Sequence, residues 1–174
     1  LRLRQATDYG MALANRIEGL LTGNLDYEPR LVEQRVNGDV EHGSVMIVAS
    51  LMGTAAGFRG NVIKSDVDVV NDPTLTALIF SNIYHNARKS AEMKGVEPNV
   101  RVSAHENCGH ISFDFTDNGM GIDTEKLLML ERGEIGFGFA SCKQIAEMMG
   151  GRLYVKESVV DIGTTVTLEL KIAE

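Results

Sequence analysis

The sequence has few cysteines, no long apolar run and no excess of positive charge, and each lack narrows what the chain can be. Its two cysteines, Cys108 and Cys142, stand far apart with no CxxC pairing. Neither a disulfide framework nor a zinc site can be read from them, and a reducing, cytosolic (cytoplasmic) setting is the expectation. No stretch approaches the roughly 18–20 apolar residues of a membrane span. The most apolar early segment, 45–56, is short and is interrupted by Ser50, Gly53 and Thr54. No signal peptide is legible. The first residue is Leu1 rather than Met, so the chain reads as part of something longer, and a membrane anchor elsewhere in the parent stays open. The formal net charge is −7, without the basic footprint that sequence-independent nucleic-acid binding needs, so no nucleic-acid partner is expected. An acidic chain can still hold a nucleotide, because backbone N–H groups and one or two cations suffice for a phosphate site.

What is present suits one globular domain with a short appendage. A length of 174 residues can bury a sizeable core without disulfides or metal. Hydrophobic residues at 44% and charged residues at 24% are ordinary for a soluble protein. The periodicity predicts an amphipathic helix over 5–22, a connection over 24–43 and a second helix from Ser44 to about Gly57. A β-branched, alternating segment over 61–70 predicts a strand. Asn71-Asp72-Pro73 then opens a helix that runs to about Lys94 and stops at Gly95. Strands follow at about 99–106 and 110–117, helices at 124–131 and 137–149, and a closing hairpin at about 152–158 and 164–172. This order implies an α+β, two-layer α/β sandwich, with helices on one face of a mixed, mainly antiparallel sheet and an N-terminal helical extension. The expected division is 1–43 as helix and linker and 44–174 as the main domain.

Three patches carry chemistry. Asn82 and Asn86 are one helical turn apart and share a face. Two amides there can meet a cation and a phosphate oxygen, with Arg88 and Lys89 alongside. Asp117-Asn118-Gly119-Met120-Gly121-Ile122 follows a strand. An aspartate at that position can accept from an exocyclic amine, and the glycines let backbone approach a flat ring. Gly136-Phe137-Gly138-Phe139 opens a helix, whose free N–H groups and positive dipole end suit an anion. Each patch alone has a plain reading: a solvated helix face, a turn, a flexible loop.

In this order and spacing, the patches resemble the N, G1 and G2 boxes of the GHKL superfamily of ATP-binding domains. The likeness spans about 61–172, and Gly163-Thr164-Thr165-Val166-Thr167 resembles the last strand of that fold. The resemblance implies ATP and Mg²⁺ as cofactors. It makes Asn86 the Mg²⁺ ligand, Asn82 its partner one turn earlier, and Lys89 a phosphate-directed cation. It makes Asp117 the adenine reader, with Gly119, Gly121 and Ile122 around the ring. Gly136, Phe137, Gly138 and Phe139 fall on the phosphate side, and Thr164 or Thr165 on the adenine side.

Asn82 separates the branches. Hydrolysing members of the superfamily resemble one another in carrying a glutamate there as general base for water, and an amide cannot abstract a proton. The chain is therefore most similar to the catalytic domain of a sensor histidine kinase, which passes the ATP γ-phosphoryl group to a histidine in two-component signalling. Residues 16–21 look like the tail of a dimerisation helix, so a homodimer of the full-length protein is the expectation if that holds. His42 and His105 lack the helical, acid-flanked setting of an acceptor. The phosphoacceptor histidine is then expected upstream or in trans, with a response regulator downstream. The lid between Ile122 and Gly136 is short, with Arg132 near its exit. That keeps two other readings open: a degenerate phosphotransfer or scaffold module, and an anti-sigma-type serine/threonine kinase. His85 beside Asn86 has the position of a proton shuttle or of an ordinary helix-surface histidine.

Overall fold

The computed structural model describes residues 28–37, 58–60 and 64–174. The helices expected over 5–22 and 44–57, and His42, lie outside these residues. The described elements run β1 (Val32–Asn37), β2 (Phe58–Gly60), β3 (Lys64–Asn71), α1 (Pro73–Lys94), β4 (Val100–Asn107), β5 (His110–Asp117), α2 (Thr124–Glu131), α3 (Phe137–Met148), β6 (Arg152–Val159) and β7 (Gly163–Ile172).

Helix α1 begins and ends where local chemistry dictates. Asp72 Oδ1 accepts from the N–H groups of Thr74 (2.9 Å) and Leu75 (3.2 Å), and Pro73 occupies the first turn, where its missing N–H costs nothing. At the other end Gly95 takes a left-handed conformation (φ 78°), and Val96 N–H returns to Ala91 O at 3.0 Å. Strands β4 and β5 meet in a two-residue turn with positive φ at Cys108 (45°) and Gly109 (80°), a geometry that matches strand twist.

The sheet has seven strands, in the order β1-β3-β7-β5-β4-β2, with β6 also paired to β7. Strands β6 and β3 share one edge of β7: β6 covers its first part and β3 only its last two residues. The β2–β4 pair is parallel and the others are antiparallel. The sheet is thus mixed and mainly antiparallel, with three helices on one face, as the element order implies. Strand alternation decides which side chains enter the core. Ile111, Phe113 and Phe115 of β5, with Leu168 and Leu170 of β7, face the helices and are buried. Phe80 of α1 meets Phe113 edge-on at 6.3 Å and Phe115 at 5.1 Å between ring centres. Leu75, Ile79 and Ile83 of α1 and Cys142, Ile145 and Ala146 of α3 complete this layer.

The opposite face is polar. Asp114 accepts from Lys156 Nζ and Thr167 Oγ1, both at 2.6 Å, and Glu169 accepts from Arg152 and Tyr154. These bonds satisfy carboxylates that the sheet would otherwise leave without water.

Two features depart from the expectation. The stretch 24–43 is not only a connection: β1 lies within it and pairs antiparallel with β3. The exposed Leu31 and Val32 mark an edge strand whose alternation is too weak to recognise from sequence. Its entry is tied to α1, because Arg30 N–H donates to Asp72 Oδ2 at 2.8 Å. The three-residue β2 is too short to carry any period, and it exists by pairing with β4.

Phe80 fixes the distance between α1 and the sheet. Replacing it with alanine leaves an unfilled space against two aromatic rings. Phe80→Ala is expected to lower unfolding free energy by about 3–5 kcal/mol, read from urea denaturation followed by circular dichroism.

Candidate functional site

A cavity of about 250 Å³ lies between α1, the loop after β5, the lid segment and β7. Ile83, Ala87 and Val166 give it an apolar floor, and Asn86, Ser90, Asp117 and Thr164 give it polar edges. Such a mixture, mostly apolar with a few convergent polar groups, is how small-ligand sites are built. Ile122, Leu130, Gly136 and Phe139 close the lid side.

Asp117 is the partly buried ionisable group of this site. Its Oδ1 accepts from Gly119 N–H at 2.8 Å and Thr164 N–H at 3.2 Å. Its Oδ2 has no protein hydrogen bond among the described residues, so it remains to accept from a ligand. Burial pushes the carboxyl above the usual aspartate value, and the two N–H bonds and the charge of Lys94 only partly offset this.

Backbone approach around Asp117 is so close that glycines are required. A methyl group on Gly119 would strike the Ser90 hydroxyl, on Gly121 the carbonyl of Val159, and on Gly163 the carbonyl of Asp117. The turn between β6 and β7 is thereby pressed onto the loop after β5, and Asp161 N–H donates to Met120 O at 2.6 Å.

The second patch sits on α1. Asn86 Nδ2 donates to Asn82 Oδ1 at 3.0 Å. That bond turns Asn86 Oδ1 outward, with no protein partner among the described residues. On its other side Asn82 abuts Gly138, where any side chain would collide with the amide. Gly136 precedes α3 in a left-handed conformation (φ 67°) and offers no side-chain cap. The first N–H groups of α3 therefore stay available to an anion.

Asn86, Asp117, Ile122, Gly136 and Phe139 line this cavity, whereas Gly119 and Gly121 lie in the loop after β5 and Asn82 meets Gly138 at the start of α3. Thr164 lines the cavity, whereas Thr165 Oγ1 bonds Thr116 Oγ1 at 2.9 Å on the far face of the sheet. Strand alternation separates the two threonines. Phe137 is 76% exposed and does not line the cavity that Phe139 helps wall. Lys89 and His85 are exposed on α1. Arg88 is drawn to Glu92 Oε1 (2.7 Å), and Arg132 lies 3.9 Å from Glu134. Arg88 is thus engaged along the helix surface rather than held at the site.

Three contributors escape the motif reading. Ser90 Oγ accepts from Met120 N–H at 2.9 Å, and its own hydrogen makes no hydrogen bond among the described residues. Its four-residue spacing from Asn86 is the signal that could have found it. Ser158 Oγ accepts from Ile122 N–H (2.8 Å) and bonds Thr164 Oγ1 (2.8 Å). A bulge at Lys156 turns it to this side of β6, and no sequence pattern announces that bulge. Lys94 supports the loop after β5 from behind.

Gly163→Ala is expected to cost about 1–3 kcal/mol of stability, because its Cβ meets a backbone carbonyl rather than a movable side chain. Chemical denaturation of the variant beside the parent measures it.

Full-length ShkA in complex with AMPPNP is similar over 99% of this chain and 38% of its own, with a TM-score of 0.67 and 23% identity. Acinetobacter baumannii histidine kinase AdeS matches over 100% of this chain and 82% of its own, with a TM-score of 0.62 and 13% identity. The mycobacterial sensor histidine kinase MprB matches over 74% and 91%, with a TM-score of 0.58 and 22% identity. At these identities the likeness is one of fold. No curated protein matches the chain in sequence. The family described as histidine kinase-, DNA gyrase B-, and HSP90-like ATPase matches residues 71–174, the stretch that contains the cavity, both α1 amides and the opening of α3. The chain therefore belongs to that family and carries its GHKL ATP-binding domain.

Proposed function

We propose that this chain is the ATP-binding catalytic domain of a sensor histidine kinase, transferring the γ-phosphoryl group of ATP to a histidine upstream or in trans. The observation that carries the reading is the Asn82–Asn86 pair. The group one turn before Asn86 is an amide, hydrogen-bonded to Asn86, and it cannot deprotonate water. A site without that base protects the γ-phosphoryl group from hydrolysis and leaves it for an incoming imidazole. In the transfer, an imidazole nitrogen forms the new P–N bond, the bond from the γ-phosphorus to the bridging oxygen breaks, and ADP leaves with the electron pair. Catalysis is positioning and charge neutralisation. The kinase fold of MprB, AdeS and ShkA supports this assignment, and a response regulator is the natural downstream partner.

The residues fit a magnesium ion of the kind that accompanies ATP. Among the described residues Asn86 Oδ1 has no partner, and no cluster of His, Cys, Asp or Glu would cage a metal. Magnesium commonly takes one or two protein oxygens, with phosphates and water for the rest. When bound, it would neutralise phosphate charge. Asp117 Oδ2 would accept the adenine amine, Thr164 and Ile122 would border the ring, and the N–H groups at α3 would face the phosphates, with Lys89 as the nearby cation. We take Thr164 rather than Thr165 for the adenine side, because Thr165 Oγ1 bonds Thr116, and leave Phe137 out because it is exposed and does not line the cavity. Residues 1–43 are assigned to the helix and linker that precede the domain, with β1 joining its sheet. No helix among the described residues is long and apolar enough to cross a membrane.

A non-catalytic nucleotide-binding module is the second reading. Arg88 is tied to Glu92 and Arg132 lies near Glu134, which leaves few cations for a triphosphate. Calorimetric titration of ATP with Mg²⁺ separates the two. Asn86→Ala and Asp117→Asn are each expected to weaken binding at least tenfold, or about 1.4 kcal/mol. Acid-labile, alkali-stable phosphate on an acceptor domain completes the kinase assignment. Tight ATP binding without any such phosphate favours the module.

Binding also depends on pH. The ionised Asp117 carboxylate is a stronger acceptor from an amine than the neutral acid, and its folded pKa is raised by burial. ATP affinity is therefore expected to fall on acidification while pH is still above the ordinary aspartate range. Titrations between pH 4 and 8 (roughly the span of Asp and His titration) read this limb.

A further inference from the structure

Helix α1 presents Asn82, Asn86, Ser90 and Lys94 at four-residue spacing. The first three edge the cavity or support it. Lys94 lies a turn further on, behind the loop that follows β5. Its Nζ donates to Asn118 O at 3.1 Å, Gly119 O at 3.1 Å and Ile162 O at 3.4 Å. An ammonium has three donors and no acceptor, so three carbonyls satisfy it fully.

Two of these carbonyls matter for what lies at the other end of their peptide units. The peptide joining Asn118 to Gly119 turns its N–H onto Asp117 Oδ1 at 2.8 Å. The peptide joining Gly119 to Met120 turns its N–H onto Ser90 Oγ at 2.9 Å. A trans peptide is planar, with C=O and N–H pointing opposite ways. Fixing each oxygen therefore fixes the direction of each N–H. A cation at the oxygen also polarises the peptide and strengthens the bond its N–H makes. The third carbonyl, of Ile162, belongs to the β6–β7 turn that presses on the same loop. Asn118 is held separately: its Oδ1 accepts from Asn99 N–H, and its Nδ2 donates to Glu97 O, both at 2.9 Å. Those bonds anchor the outer side of the loop and leave the two peptide planes to Lys94.

We propose that Lys94 is a positioning residue for the nucleotide site, its ammonium setting the two peptide planes that hold the Asp117 carboxylate and the Ser90 hydroxyl toward the cavity. The proposal rests on the ATP reading of that cavity. It also gives Lys94 an electrostatic part, since its charge opposes the effect of burial on Asp117.

The test is calorimetric titration of ATP with Mg²⁺ into the parent, Lys94→Met, Lys94→Arg and Asp117→Asn, repeated across the acid limb. Lys94→Met is expected to weaken ATP about tenfold and to move the acid limb to higher pH. Lys94→Arg is expected to restore most of both. A merely structural lysine would alter stability without moving the limb. If Lys94→Met keeps the parent's affinity and pH profile while Asp117→Asn loses ATP, the site reading stands and the role of Lys94 falls. If Asp117→Asn keeps ATP, both fall. Should Lys94→Met lose the parent's near-ultraviolet circular dichroism, Lys94→Gln takes its place. Glutamine retains a donor without charge, so a shifted limb with a smaller loss of affinity supports the proposal, and an unshifted limb overturns it.

Discussion

The site depends on keeping one partly buried carboxylate, that of Asp117, charged. Burial alone would drive it toward the neutral acid. Two backbone N–H groups hold it, one from the next loop residue but one and one from the start of β7. Both bonds go to the same oxygen, and this division leaves the other oxygen for a ligand. The glycine requirements follow from it. The loop after β5 must fold back within two residues, and β7 must pass close enough to donate. Any side chain at Gly119 or Gly163 would occupy space already taken by Ser90 or by the Asp117 carbonyl.

The surrounding elements form one connected unit. Helix α1 supplies amides at one end of its polar stripe, a serine in the middle and a lysine at the far end. The serine and the lysine grip the loop after β5, and the lysine also reaches the β6–β7 turn. That turn carries exposed Val159, Val160 and Ile162, yet its backbone is bonded to the loop through Asp161 and braced through Ser158. Behind the sheet, Asp114 and Glu169 are held by Lys156 and Arg152.

Much of this was legible from residue order. The bounds of α1 were fixed by Asp72, Pro73 and Gly95, whose effects act within one turn of chain. The alternation of β5 told which of its residues face the helices. The helices at 124–131 and near 137–149, the two hairpins and the mixed sheet followed from period and punctuation. The three patches converge because each sits at the end or on one face of an element whose position the sequence already implied. Strand β1 was not legible, since an edge strand is stabilised by its neighbour rather than by its own pattern. Strand β2 is too brief for any pattern to exist.

What the sequence determined by itself was therefore the local chemistry: caps, turns, alternation, and the identity of the groups able to meet a nucleotide. Tertiary structure alone decided which of two adjacent threonines faces the cavity, because the facing of β7 depends on its pairing with β5. It also decided that Ser158 enters the site, because one extra residue in β6 reverses the alternation beyond Lys156. It decided that Lys94 closes onto carbonyls some 24, 25 and 68 residues away along the chain. Such contacts have no signature in local sequence, since they arise only when packing brings distant backbone groups within hydrogen-bonding distance.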